Sequence, residues 1–148
     1  MLEGDDEPQD RGIQTLSTLS LMNVLAGSIN AASAAIAEAG IDCVDVATGG
    51  VAAIVTRSDG QAQVVLDPCP SDDEAIEGLC LVSYLKSRGE ITDFWATAAP
   101  SARLAQSANE IDFDTLGNNA IEAASGARLV VIEALTQAAT EAKTMSKS

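Results

Sequence analysis

The stretch that decides the fold reads Val44-Asp45-Val46-Ala47-Thr48-Gly49-Gly50-Val51-Ala52-Ala53-Ile54-Val55-Thr56, then Arg57-Ser58-Asp59-Gly60, then Gln61-Ala62-Gln63-Val64-Val65-Leu66-Asp67-Pro68. The first segment carries no charge after Asp45, which indicates a strand that is buried on both faces. Ser58-Asp59-Gly60 is a hairpin turn signal, so residues 61–67 predict the return strand, and Pro68 ends it. The pair Gly49-Gly50 predicts a bulge or a close backbone contact.

Long apolar periodicities flank this hairpin on both sides. Apolar residues recur at steps of three and four over residues 13–39, which predicts a helix whose second half is rich in small side chains. Gly40 is suited to a left-handed C-cap at its end. A second such pattern predicts a helix over residues 114–142.

Two more strands are predicted between the hairpin and the last helix, at 79–85 and 90–97, with Lys86-Ser87-Arg88-Gly89 as their turn. Ser71 and Glu74 have the spacing of a capping box, which predicts a helical turn at 72–77. Residues 98–112 are compatible with a short helix or an inserted loop. The order helix, four strands, helix predicts an α+β fold. We expect a two-layer unit, with both long helices on one face of a mainly antiparallel sheet.

The predicted folded domain spans residues 13–142. Residues 1–12 hold five acidic side chains and predict a disordered lead-in, and 143–148 predict a frayed tail. No apolar run approaches the roughly 20 residues of a membrane span, so no membrane partner is expected. The acidic N-terminus also lacks the features of a secretory signal.

Charge and composition narrow the function. The chain has 148 residues, a net charge of −14, eight Lys and Arg, and no His. It should therefore repel nucleic acid, and any RNA chemistry would need basic residues from other chains. Without His, Ser-His and Cys-His nucleophile pairs are impossible. Cys43, Cys69 and Cys80 are too few and too widely spaced for a thiolate zinc site, and we expect reduced thiols in an intracellular protein.

Clustered carboxylates form the main candidate site. They can bind Mg²⁺ or act as a general acid, or they can belong to a capped, solvated turn. The group comprises Asp67, Asp72, Asp73, Glu74 and Glu77. The adjacent Phe94 and Trp95 should face opposite sides of a strand, one in the core and the other available for a subunit contact.

The order of small-residue helix, strand pair and acidic turn between Asn30 and Glu74 resembles the second half of the RNase PH family. These proteins are phosphorolytic 3′ exoribonucleases and ring subunits of the RNA exosome, and the resemblance implies their ribosomal-protein-S-five-like fold. Active members carry two functional Asp residues six positions apart after a Leu-Asp-Leu strand end. In this chain Leu66-Asp67-Pro68 matches the strand end and Asp73 matches the first Asp. The second position falls on Leu79, which can neither give a proton nor bind a metal.

The resemblance covers the folded part of the chain but about half of a family subunit, and it implies a catalytically inactive ring subunit that supports 3′-to-5′ RNA processing and degradation. The implied partners are other RNase PH-like subunits and cap subunits, with RNA contacted only through the ring. We expect no catalytic, cofactor-binding or metal residues, no cofactor, and a location in the nucleus, nucleolus and cytoplasm. Two alternatives stay open: an active phosphate-dependent exoribonuclease that retains Asp73, and a stand-alone α+β protein-interaction module.

Overall fold

The computed structural model describes residues 8–69, 75–98 and 113–145. In chain order, a long helix is followed by four strands and then by a second long helix. The strands form one antiparallel sheet in the order β2-β1-β3-β4. The elements are α1 (Pro8–Glu38), β1 (Thr48–Thr56), β2 (Ala62–Leu66), β3 (Ala75–Leu85), β4 (Glu90–Ala98) and α2 (Phe113–Met145). The predicted α+β composition, with four antiparallel strands and two long helices, is confirmed.

The two helices lie on opposite faces of the sheet, and the expectation that both would cover one face is wrong. Leu19, Met22 and Ala26 of α1 pack in one core cluster, where the sheet contributes Val51, Ala53, Val55, Leu79 and Leu81. Leu116 and Ala120 of α2 pack in the other, where the sheet contributes Ala52, Ile54, Cys80 and Val82. Successive strand residues point to opposite faces. Because β1 is apolar at both sets of positions, each face needs a helix of its own.

The glycine pair of β1 makes this close packing possible. A side chain at Gly49 would lie 2.7 Å from the Cα atom of Ala26 in α1, and one at Gly50 would lie 2.5 Å from the carbonyl oxygen of Ala120 in α2. The predicted close backbone contact is therefore present at both residues, once on each face. The register shift of this strand lies elsewhere, between Ile54 and Val55.

The element boundaries differ from the predicted ones in four places. α1 begins at Pro8, so the predicted lead-in 1–12 overlaps its first residues, and α2 continues to Met145, three residues into the predicted tail. β1 begins at Thr48 rather than at residue 44. β3 begins at Ala75, so residues 75–77 are extended and not helical, because the ladder pairs Ala75 with Thr56. Residues 99–112 lie outside the described ranges.

The first helix is more apolar than the sequence analysis anticipated. Its segment Leu16–Glu38 is long and apolar enough to cross a membrane by length and composition, with a mean hydropathy of 1.4. In this fold only three residues of the segment are buried, namely Leu19, Met22 and Ala26, and they pack against the sheet. The side-chain amides of Asn23 and Asn30 donate hydrogen bonds to the backbone carbonyls of Pro68 and Gly49, at 2.9 and 3.3 Å.

Candidate functional site

Leu79 occupies the position where the family resemblance places the second functional Asp. It is the fifth residue of β3, lies opposite Ala53 of β1 and Thr97 of β4, and is 0% exposed. It belongs to the core cluster beneath α1, together with Leu19 and Met22. The side chain therefore serves the hydrophobic core, and the position is closed to water and to substrate.

Glu77 carries the carboxylate nearest to Leu79 along β3, and its side chain makes a different contact. The register shift in β3 pairs Ile54 with Gly78 and Val55 with Ile76, which leaves Glu77 without an opposing residue. An extra strand residue of this kind is a β-bulge, and it redirects its side chain. The hydroxyl of Thr56 donates to Glu77 Oε1 at 2.6 Å. This hydrogen bond links the end of β1 to the start of β3 and directs the Glu77 carboxylate toward Thr56 rather than toward Leu79.

Asp67 ends β2 in a left-handed backbone conformation, with φ of 46°. Asp is one of the few non-glycine residues that adopt this region readily. Its backbone N–H donates to the carbonyl of Val51 at 2.9 Å, and Asn23 of α1 binds the next carbonyl, that of Pro68. The turn that leads into the acidic segment is thus attached to both β1 and α1. The predicted residues Asp72, Asp73 and Glu74 lie outside the described ranges.

Chemical groups for metal or phosphate binding are sparse in the described part of the chain. Among the side chains that the structure describes, no group of three Cys, Asp or Glu is placed to hold a metal ion. A hollow of about 520 Å³ along α2 is lined by Glu133 and Glu141 with three polar neighbours. Two carboxylates in its wall disfavour an anion there.

Two basic side chains in the described part of the chain, Arg88 and Arg128, are paired with carboxylates. Arg128 of α2 lies 3.0 Å from Asp45 Oδ1, and Arg88 lies 2.9 Å from Glu90 in the exposed turn before β4. The exposed pair Arg88–Glu90 contributes little to stability. Both pairs nevertheless reduce the positive charge that is available to bind a phosphate backbone.

The Asp45 carboxylate joins three parts of the fold. Its Oδ1 accepts from the N–H of Val46 at 2.8 Å and from Arg128, and its Oδ2 accepts from the N–H of Ser87 at 2.8 Å. The side chain of Asp45 is only 6% exposed. Burial alone would raise its pKa, but the hydrogen bonds from Ser87, Arg128 and Val46 outweigh burial and hold the pKa well below its usual range. Sequence reasoning missed this pair, because its members are 83 residues apart and no local pattern links them.

The aromatic residues of β4 are partly as predicted. Phe94 pairs with Val82 and Trp95 with Leu81, so the two rings face opposite sides of the sheet. The expectation that one of them lies in the core is wrong, because their exposed fractions are 50% and 43%. β4 is an edge strand, and the helices lie mainly over the strands inward of it.

The three cysteines are free thiols, with Cys43 and Cys69 exposed and Cys80 buried beneath α2. Burial raises the pKa of the Cys80 thiol to about 11. A thiol with this pKa is a poor nucleophile at neutral pH.

No protein-family model matches the chain. The chain is similar to two curated proteins. It is 40% identical over 138 residues to the exosome complex component MTR3 of Chaetomium thermophilum, a match that covers 93% of this chain and 46% of that protein. It is 33% identical over 93 residues to the exosome complex component mtr3 of Schizosaccharomyces pombe, covering 60% of this chain and 35% of that protein. The chain thus spans less than half the length of these relatives.

Proposed function

We propose that this chain forms the second half of an RNase PH-like ring subunit of the RNA exosome, of the mRNA-transport-regulator type, and that its role is architectural. The similarity to the two MTR3 components supports the complex. The observation that carries the non-catalytic role is Leu79, a fully buried core residue at the position of the family's second functional Asp.

The electrostatics support the same role. With a net charge of −14, and with Arg88 and Arg128 paired to carboxylates, the chain is poorly equipped to hold a phosphate backbone. In the proposed complex, other RNase PH-like subunits and the cap subunits supply the RNA contacts. This chain helps to close the ring and to shape the channel that leads RNA to a nuclease. Its RNA contacts are indirect, and its proposed locations are the nucleus, the nucleolus and the cytoplasm.

Affinity purification of the tagged chain from its source cells tests the complex. We expect a full set of RNase PH-like and cap subunits to co-purify with it in fixed stoichiometry. The soluble chain recovered as a monomer, with no exosome subunit, would contradict the proposal and favour a stand-alone interaction module.

A phosphorolysis assay tests the non-catalytic role. The purified chain is incubated with single-stranded RNA and inorganic phosphate, and the release of nucleoside diphosphates is measured. We expect none above a blank without protein. Release that depends on phosphate would instead establish the active exoribonuclease.

A further inference from the structure

Three of the four aromatic side chains in this chain are exposed, and two of them, Phe94 and Phe113, lie on the α2 side of the sheet. Phe94 faces α2, because its ring carbon Cε2 lies 3.6 Å from the place that a Cβ atom of Gly117 would take. Phe113 lies one helical turn before Gly117 and thus on the same face of α2. We call Ile91, Phe94 and Phe113 the phenylalanine patch.

Ile91 extends the patch along β4. It pairs with Tyr84, as Phe94 pairs with Val82, and Tyr84 and Val82 share one face of β3. The three side chains of the patch are 48%, 50% and 48% exposed in chain order. Aromatic side chains, phenylalanine among them, are enriched in protein interfaces relative to the rest of the surface.

The charges beside the patch indicate what can cover it. Asp114 follows Phe113 on α2 and is exposed, and the chain as a whole carries a net charge of −14. Arg88, in the turn before β4, is already paired with Glu90. Like charges placed across an interface disfavour association. A second copy of this acidic chain is therefore a poor partner, and an apolar surface with a basic rim is a good one.

The edge of β4 favours docking through side chains rather than through an added strand. The backbone N–H of Phe94 donates to Asp93 Oδ1 at 2.9 Å, so this donor is already in use within the chain. A partner strand that paired here would have to displace the carboxylate. Charged side chains on edge strands are a known barrier to such pairing.

We infer that the phenylalanine patch docks a protein surface that has an aliphatic or aromatic centre and a rim of Lys and Arg. This inference rests on the proposed function, in which such a surface belongs to a neighbouring RNase PH-like subunit.

The test measures binding of the chain to the purified RNase PH-like subunits of its source species, one at a time, by isothermal titration calorimetry. We expect one subunit to bind the unmodified chain. Phe94→Ala and Phe113→Ala should each weaken this binding by about 30-fold or more, as loss of an anchor residue does. The matched control is Leu129→Ala, which truncates an apolar side chain of α2 that is 66% exposed. It should change the dissociation constant by less than about threefold.

A charge variant tests the basic rim. Asp114→Lys should weaken binding, and the loss should shrink at high salt because salt screens the attraction between exposed charges. Thermal unfolding of each variant separates lost binding from lost folding, since an interface residue should leave the melting temperature nearly unchanged.

The outcomes are distinguishable. Binding of no subunit would overturn the proposed function and this inference with it. Equal binding by the unmodified chain and both phenylalanine variants would overturn only the patch, as would an effect of Leu129→Ala of the same size. Self-association that the phenylalanine variants abolish would replace the basic partner by a second copy.

Discussion

Replacement of Gly50 by Ala should be strongly destabilising, because the added methyl group would enter the backbone of α2. A Cβ atom there would lie 2.5 Å from Ala120 O, 2.8 Å from Ala123 C and closer still to Ala124 N. Helix backbone cannot rotate aside as a side chain can, so α2 must retreat by roughly 1 Å to restore ordinary contact. Overpacking of a core costs about 1–3 kcal/mol. The retreat also strains the 2.8 Å hydrogen bond from Thr48 Oγ1 to Ala124 O, which is worth about 1 kcal/mol.

The expected loss in the free energy of unfolding is therefore about 3 kcal/mol, a large part of the 5–15 kcal/mol typical of a domain. Urea unfolding followed by circular dichroism measures it. With a slope of about 1–3 kcal/mol per molar urea, the midpoint should fall by roughly 1–3 M.

Two matched variants complete the experiment. Gly126→Ala lies in α2 with nothing within 4 Å of the added atom, and it should stabilise the protein by about 0.5–1 kcal/mol through helix propensity. Gly49→Ala points at α1 and should also destabilise. If both helices lay on one face, only one glycine of the pair would be sensitive. Gly50→Ala within about 0.5 kcal/mol of the unmodified protein would refute the packing described here.

Three further predictions concern the site, the buried ion pair and the thiols. Leu79→Asp should cost more than about 3 kcal/mol, because it removes a core side chain and buries a carboxyl group. It should create no phosphorolysis, and release of nucleoside diphosphates by this variant would contradict the proposed non-catalytic role. Asp45→Asn should lower the free energy of unfolding by about 2 kcal/mol at pH 7. Since the folded pKa of Asp45 is lowered, its carboxylate stabilises the fold above the ordinary value of 3.8, and the gain fades as the pH falls further. The difference between variant and unmodified protein should thus shrink in urea titrations at pH 3, and a constant difference would exclude the ion pair as its source. Cys43 and Cys69 should react with a thiol reagent in the native protein, whereas Cys80 should react only after denaturant is added; native labelling of all three at one rate would show that Cys80 is accessible.

Local sequence patterns identified the elements of this fold but not their arrangement. The hairpin turn at Asp59-Gly60 and both long helices follow from short-range rules, and the structure has them. The faces of the sheet that the two helices cover follow only when the burial of β1 is also considered. A strand buried on both faces, as predicted for β1, requires a cover on each face, and that requirement excludes two helices on one side.

The start of β3 shows where local rules fail. The capping-box spacing of Ser71 and Glu74 favours a helical turn, yet Ala75 pairs with Thr56 across the sheet. A ladder of nine pairs with β1 overrides a local preference worth about 1 kcal/mol. At the candidate site, the sequence and the family resemblance together predict that Leu79 stands where active members carry a functional Asp. They do not predict its depth in the core, because burial depends on the helix that lies above it.

The apolarity of α1 has a consequence for the synthesis of the protein. Leu19 and Met22 pack against β1 and β3, but Leu85 at the end of β3 follows Glu38 by 47 residues. At roughly 5–20 residues per second, a ribosome needs about 2–9 s to deliver these strands after the helix is complete. During that time the helix has no sheet to cover it. The nascent chain should therefore engage chaperones that hold apolar segments, and its yield should depend on them more than on the stability of the finished fold.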